Sequence, residues 1–201
     1  YTVRVSPKTS GGLIGAVQLA WDAARGVPLR LALYARGDSR PVLSLEATDI
    51  GYGSVPNSVF AISPPAGAKV ETVQTPSAAG ADHWAKPHLS FALVAPAELA
   101  GMKRRSITQL GSDGAVVGYG EGPGGIAVIE HAATPGSAKL AAAPEGDQAG
   151  LSLPTVSLHG TTGQELDTAI GTVVRFVRGG VAFTVIGSVK PVVADAAARD
   201  L

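Results

Sequence analysis

Four stretches near the start of the chain alternate apolar and polar side chains with a period of two, and no other feature constrains the fold as strongly. Tyr1, Val3 and Val5 alternate with Thr2, Arg4 and Ser6. Val17, Leu19 and Trp21 alternate with Ala16, Gln18 and Ala20. After a turn around RGVP at 25–28, Leu29, Leu31 and Leu33 alternate with Arg30, Ala32 and Tyr34. After GDSR at 37–40, Leu43, Leu45 and Ala47 alternate with Ser44, Glu46 and Thr48. Successive side chains of a strand point to opposite faces. Four such runs separated by turn signals therefore predict an antiparallel meander over residues 1–52. Leu19, Trp21, Leu31, Leu33, Leu43 and Leu45 fall on one common face. LIGAVQLAWDAA also scores as a helix, but its place between strands and the Trp-Asp pair before a turn favour a strand.

A sheet with one apolar face needs a cover. None is legible nearby: residues 55–60 offer one helical turn, and SPPAGAK then leaves the sheet. The expected cover is a part of the protein preceding Tyr1, the later unit, a ligand or another chain. Tyr1 already stands inside a strand pattern, so a preceding segment with a signal peptide or an anchor is expected. Trp21, at the end of an alternating run, reads first as core and second as the wall of a pocket.

Residues 63–90 are rich in Pro, Ala, Gly and Ser and read as a linker, with one short strand expected at 70–73. The domain reading is 1–75 for the first unit, 76–90 for the linker and 91–201 for the second unit. In that second unit FALVAPAELAG suggests a strand followed by a short helix starting at Pro96 and Ala97. KRRSITQLGSDGAVVGYGEGPGGIAVIEHA reads as three strands with turns at 112–114 and 122–125. TPGSAKLAAAPEGDQAG reads as a loop, PTVSLHG as a strand and GQELDTAIG as a helical turn or loop. RFVRGGVAFTVIG is a hairpin, because Gly179-Gly180 supplies the positive φ angles of a two-residue primed turn. A helix over KPVVADAAARDL closes the chain. The fold class expected is α+β, mostly β: an antiparallel half-barrel-like meander followed by a small α+β module with a C-terminal helix.

Composition excludes several function classes. The chain has 201 residues, of which 45% are hydrophobic and 16% charged, enough to bury a core. Its formal net charge is zero, and the halves before and after Thr75 carry seven basic with five acidic residues and nine with eleven. That leaves no basic stripe for nucleic acid. The one basic cluster, Lys103-Arg104-Arg105, reads as a solvated strand or helix end. With no cysteine there is no disulfide framework, Cys-based zinc site or thiol nucleophile. A free thiol is a liability outside the cytoplasm, so its absence sits more easily with an extracytoplasmic protein. No apolar run approaches the ~20 residues of a membrane-spanning helix.

The search for chemistry leaves little. GYGEGPGG at 118–125 is followed by a strand pattern, whereas a phosphate cradle needs a helix N-terminus behind its glycines. It reads as a hairpin turn. DHWAKPH brings His83 and His88 near Asp82, without a second ligand cluster at zinc-site spacing. His131 and His159 stand at strand ends, and Ser157 beside His159 lacks both a nucleophile elbow and a third, orienting group. The carboxylates Asp22, Glu46, Asp49, Glu130, Glu165 and Asp167 form no pair predictable from spacing. The chain is therefore expected to be non-enzymatic, with no catalytic residue, no cofactor and no structural metal.

The order of features resembles the second half of the lipoprotein-carrier-like (LolA/LolB/RseB-like) domain family. The matching residues are Pro7-Lys8, Trp21-Asp22, Gly26, Pro28, Arg30, Pro56, Phe60, Pro64-Pro65, Gly67 and Val70. TAIGTVVRFVRGGVAFTVIGS with the helix ending AAARDL is similar to the C-terminal module attached to such domains in high-GC Gram-positive bacteria, related to sigma-factor-regulatory proteins. The resemblance implies a curved, half-open β-barrel whose apolar concave face takes acyl chains under helical lids. The family's first strands and lids are not in this chain. It implies no catalytic residues, and it makes the 175–187 hairpin the closing element of a small module whose terminal helix packs across a sheet.

Together these readings predict an extracytoplasmic protein that binds lipid or lipidated protein by area burial. Val17, Leu19, Trp21, Leu31, Leu33, Leu43 and Leu45 are the candidate ligand-binding residues. The expected partners are an acyl chain or lipidated protein, and self-association through the same face. The alternative is a regulatory interaction protein of the envelope-stress type, acting through the C-terminal module on a membrane-anchored regulatory protein.

Overall fold

The computed structural model describes residues 1–8, 12–68, 70, 89–137 and 153–201. Residues 71–73 of the expected strand, the loop at 134–150 beyond Ser137, and most of the 76–90 linker lie outside the described residues.

The alternating runs form a four-stranded antiparallel sheet in chain order: β1 (Thr2–Val5), β2 (Ile14–Trp21), β3 (Pro28–Ala35) and β4 (Pro41–Glu46). The run that also scored as a helix is a strand. One extra residue near Leu29 shifts the β2–β3 register, so that Ala20 opposes Arg30 and Trp21 opposes Pro28. Such a bulge bends a strand locally. Of the two faces, the one read as polar is the better buried. Ala16, Ala32 and Tyr34 form a small buried cluster there. The Tyr34 hydroxyl donates to Gln18 Oε1 at 2.7 Å, and the Arg4 guanidinium lies 4.2 Å from the Tyr34 ring centroid. Residues Asn57–Phe60 make the expected single helical turn, as a 3-10 turn.

An eight-stranded antiparallel sheet, curled into a half-barrel, follows. Its strands are β5 (Glu98–Leu99), β6 (Met102–Leu110), β7 (Gly114–Tyr119), β8 (Ile126–Ala132), β9 (Thr155–Leu158), β10 (Thr161–Thr168), β11 (Gly171–Arg178) and β12 (Val181–Gly187). They lie in the order β5-β6-β7-β8-β12-β11-β10-β9, two meanders laid side by side. The helix α1 (Pro191–Asp200) closes the chain. The architecture is thus α+β and mostly β, as the sequence reading expects. The 175–187 hairpin turns at Gly179 (φ 58) and Gly180 (φ 78), the left-handed pair that a primed turn requires.

Two local readings are corrected. FALVAPAELAG makes neither the expected strand at its start nor a short helix at 96–99. Ala100 (φ 47) and Gly101 (φ 75) form a tight turn that pairs Leu99 with Met102, and this pairing replaces a helix start. GQELDTAIG is neither a helical turn nor a loop but most of β10, which bonds to β9 on one side and β11 on the other.

The main core fills one face of the larger sheet. Val117, Tyr119, Ile126, Val128, Phe176, Phe183 and Val185 are buried there, with the Phe176 and Phe183 rings stacked 4.9 Å apart. The helix begins with Pro191 at its first turn, where a missing N–H costs nothing. Its buried Ala194, Ala197 and Ala198 follow i, i+3, i+4 spacing, and their small side chains let it lie close over β9, β11 and β12. The two sheets meet at Ser188: Leu13 N–H donates to its carbonyl at 2.8 Å, and the Leu13 and Ile14 N–H groups stand 3.0 Å from its Oγ. Gly12 (φ 81) fits this junction because a Cβ there would stand 2.6 Å from the Pro123 carbonyl oxygen. Among the described residues no helix is long and apolar enough to cross a membrane.

Candidate apolar binding face

Cross-strand register arranges the aliphatic side chains of the small sheet in two rows. Val3, Leu19, Leu31 and Leu45 oppose one another across the four strands, and Val5, Val17, Leu33 and Leu43 form the next row. Directly opposed residues share a face, so six of the seven candidate residues stand side by side. Trp21 continues the same alternation at the end of β2 and packs against Tyr1, ring centroids 6.2 Å apart. It is neither deep core nor fully open.

The rows are exposed. Leu19 and Leu31 are each 38% accessible, Leu43 55% and Leu45 72%. Exposure rises toward both edge strands, β1 and β4, and is highest on β4. Val17 and Leu33 are half-buried. The second unit reaches the Val5–Val17 end of this face through Pro123. There Val5, Pro7, Ile14, Val17 and Pro123, with Ser6 and Lys8, line an open cleft of about 350 Å³. Apolar patches of several hundred Å² on a monomer usually mark an interaction site.

The remaining sequence candidates are dispersed. His83 and His88 lie outside the described residues. His159 (φ 21) sits in the turn after β9, and His131 lies in β8. Of the 118–125 glycines, Gly118 lies in β7, and Gly122–Gly124 make a 3-10 turn just before β8. Lys103, Arg104 and Arg105 lie in β6. Arg105 pairs with Glu121, and Arg104 Nη1 donates to the Ala95 carbonyl.

Two carboxylates have surroundings that spacing alone missed. Glu130 is wholly buried on the core face, its Oε2 accepting the Val94 N–H at 2.8 Å. Burial pushes its carboxyl up to about 7, against the opposing pull of the Val94 N–H. Neither Glu130 Oε1 nor the Tyr119 hydroxyl has a hydrogen-bond partner among the described residues. Burial, and then the Glu130 charge, push Tyr119 up to about 12, with Arg104 opposing. The signal for Glu130 was present: it continues the alternation of Ile126 and Val128. Glu165 of β10 meets Asp195 of α1. Its carboxyl is raised by desolvation first, and then by its contact with Asp195 and the charges of Asp195 and Asp167.

These carboxylates sit under or beside the core of the larger sheet, and the aliphatic rows lie on the small one. The rows offer area and no reacting group, so what they can do is bind. No protein-family model matches the sequence, and no curated protein matches it.

Proposed function

We propose that this chain is a binding protein that takes an apolar guest, an acyl chain of a lipid or of a lipidated protein, on the aliphatic face of its four-stranded sheet. One observation carries the reading: two cross-strand rows of Val and Leu, exposed at every member except the half-buried Val17 and Leu33, stand beside an apolar cleft of about 350 Å³. Burial of that surface supplies the binding free energy, roughly 25 cal/mol per Å² of apolar area removed from water, and no covalent step is needed. An extracytoplasmic setting, where such guests are handed between carriers, agrees with the absence of cysteine.

The test is a fluorescent fatty acid titration of the wild type, Leu31→Asp and Leu33→Asp, with circular dichroism and thermal melting run alongside. A carboxylate on this wall is costly to desolvate, so the folded variants are expected to lose at least tenfold in affinity. A folded Leu31→Asp protein that binds the probe as tightly as the wild type removes the proposal.

A further inference from the structure

A second hollow lies on the outer face of the eight-stranded sheet, and its lining mixes polar side chains with Phe176, Ala182 and Phe183. Ile129 of β8, Thr184 of β12 and Arg175 of β11 oppose one another in one cross-strand row, which Gln164 of β10 extends. His131, Ala182 and Val177 form the adjacent row. Ala182 contributes only a methyl group, and above it opens a hollow of about 210 Å³ bounded by His131, Thr184, Arg175 and Ser137.

Neither row contains an acidic residue. Arg30, Arg105 and Arg199 are each paired with a carboxylate, and Arg178 donates to the Leu158 carbonyl. Arg175 has no such partner among the described residues, so its planar fork of donors is uncommitted. The Thr184 hydroxyl is likewise free among the described residues. Ser137 only closes the rim, because its hydroxyl donates to the Thr134 carbonyl at 2.9 Å. His131 Nδ1 lies 3.0 Å from the Ala132 carbonyl oxygen, which can only accept. Nδ1 therefore carries a hydrogen toward that carbonyl, and Nε2 is the ring nitrogen left to face a ligand.

We propose that this hollow binds a phosphate group, free or as a monoester. The guanidinium meets two oxygens of a tetrahedral oxyanion and the Thr184 hydroxyl a third, while Nε2 accepts the proton of a P–OH. A carboxylate has too few oxygens for this set, and sulfate carries no proton near neutral pH. The hollow is larger than bare phosphate and leaves room for the carbon of an ester. The site shares no residue with the aliphatic face and stands or falls independently of it.

The measurement is a titration of the isotope-labelled full chain with inorganic phosphate, glycerol phosphate and sulfate at constant ionic strength near neutral pH, following the His131 ring and Thr184 signals. Saturable shifts with a Kd on the order of 1 mM are expected for a phosphate species. Arg175→Gln is expected to weaken binding at least tenfold, through loss of a charge-assisted hydrogen bond, and Arg175→Lys less. Thr184→Val, which keeps the shape, is expected to weaken it about threefold. Equal saturation by both phosphates assigns the site to free phosphate, and saturation by glycerol phosphate alone assigns it to an ester such as a lipid headgroup. Shifts that do not saturate, equal binding of sulfate, or undiminished binding by folded Arg175→Gln overturn the proposal.

Discussion

Glu130 is the residue whose surroundings depart furthest from what its type prefers. It lies wholly buried between Ala115 and Phe183, held by one backbone N–H from the segment that covers the sheet. With its carboxyl raised from 4.5 to about 7, the folded chain keeps a proton that the unfolded chain releases. Stability from this group is fully present below the unfolded value and falls as pH rises through the window from 4.5 to about 7, by roughly 3 kcal/mol in all. Glu130→Gln keeps an oxygen for the Val94 N–H and abolishes the charge. Urea unfolding at about pH 5 and about pH 8 is therefore expected to show a shallower pH dependence for the variant, which gains stability mainly at the higher pH. Glu165 is shifted in the same direction and remains in both proteins, so the difference between them isolates Glu130. The buried position was legible in the sequence as the third member of the Ile126, Val128, Glu130 alternation. Its single hydrogen bond was not, because Val94 arrives from another part of the chain.

At the scale of elements, what the sequence made legible follows local physics. The four strands of the small sheet, β7, β8, the Gly179-Gly180 hairpin and α1 all carry strong periodicity or turn chemistry of their own. β10 does not: Gln164, Glu165, Leu166 and Asp167 show no apolar alternation, and its identity comes from hydrogen bonding to β9 and β11 on both edges. Glu165 occupies a position opposite the buried Val174, where a pattern reader expects an apolar side chain. β5 was missed for a related reason, since Ala100 adopts a positive φ that alanine seldom takes. The contact between the sheets was equally silent in the sequence, because Ser188 and the close approach of Gly12 to Pro123 carry it. Ser188→Ala removes the Oγ that stands 3.0 Å from the Leu13 and Ile14 N–H groups. The expected loss is about 1–2 kcal/mol, read by chemical denaturation, with faster amide exchange at Leu13 and Ile14 than elsewhere in β2.

For the whole molecule, the aliphatic rows and the open edge of β4 coincide. An exposed edge strand with apolar side chains is a template for pairing with another chain. Leu43→Glu combined with Leu45→Lys leaves the net charge unchanged and alters only exposed positions. Its stability is expected to stay within about 0.5 kcal/mol of the wild type. Binding of an environment-sensitive apolar dye should fall severalfold, and sedimentation should show weaker concentration-dependent association. The sequence disclosed which residues form this face. That the second unit reaches its Val5–Val17 end depends on where Pro123 falls in three dimensions.

The strand order of the larger sheet also sets how such a chain finds its fold. Each of its two meanders closes on sequence neighbours, a quick event of low entropic cost, and only the pairing of β8 with β12 joins residues far apart in the chain. Pairing across that seam, where Val128 opposes Val185, is expected to be the slow step. Closing entropy grows only with the logarithm of loop length, about 0.6 kcal/mol per doubling. Evolution is therefore free to lengthen or shorten the stretch between β8 and β9 widely, while the seam itself tolerates little change.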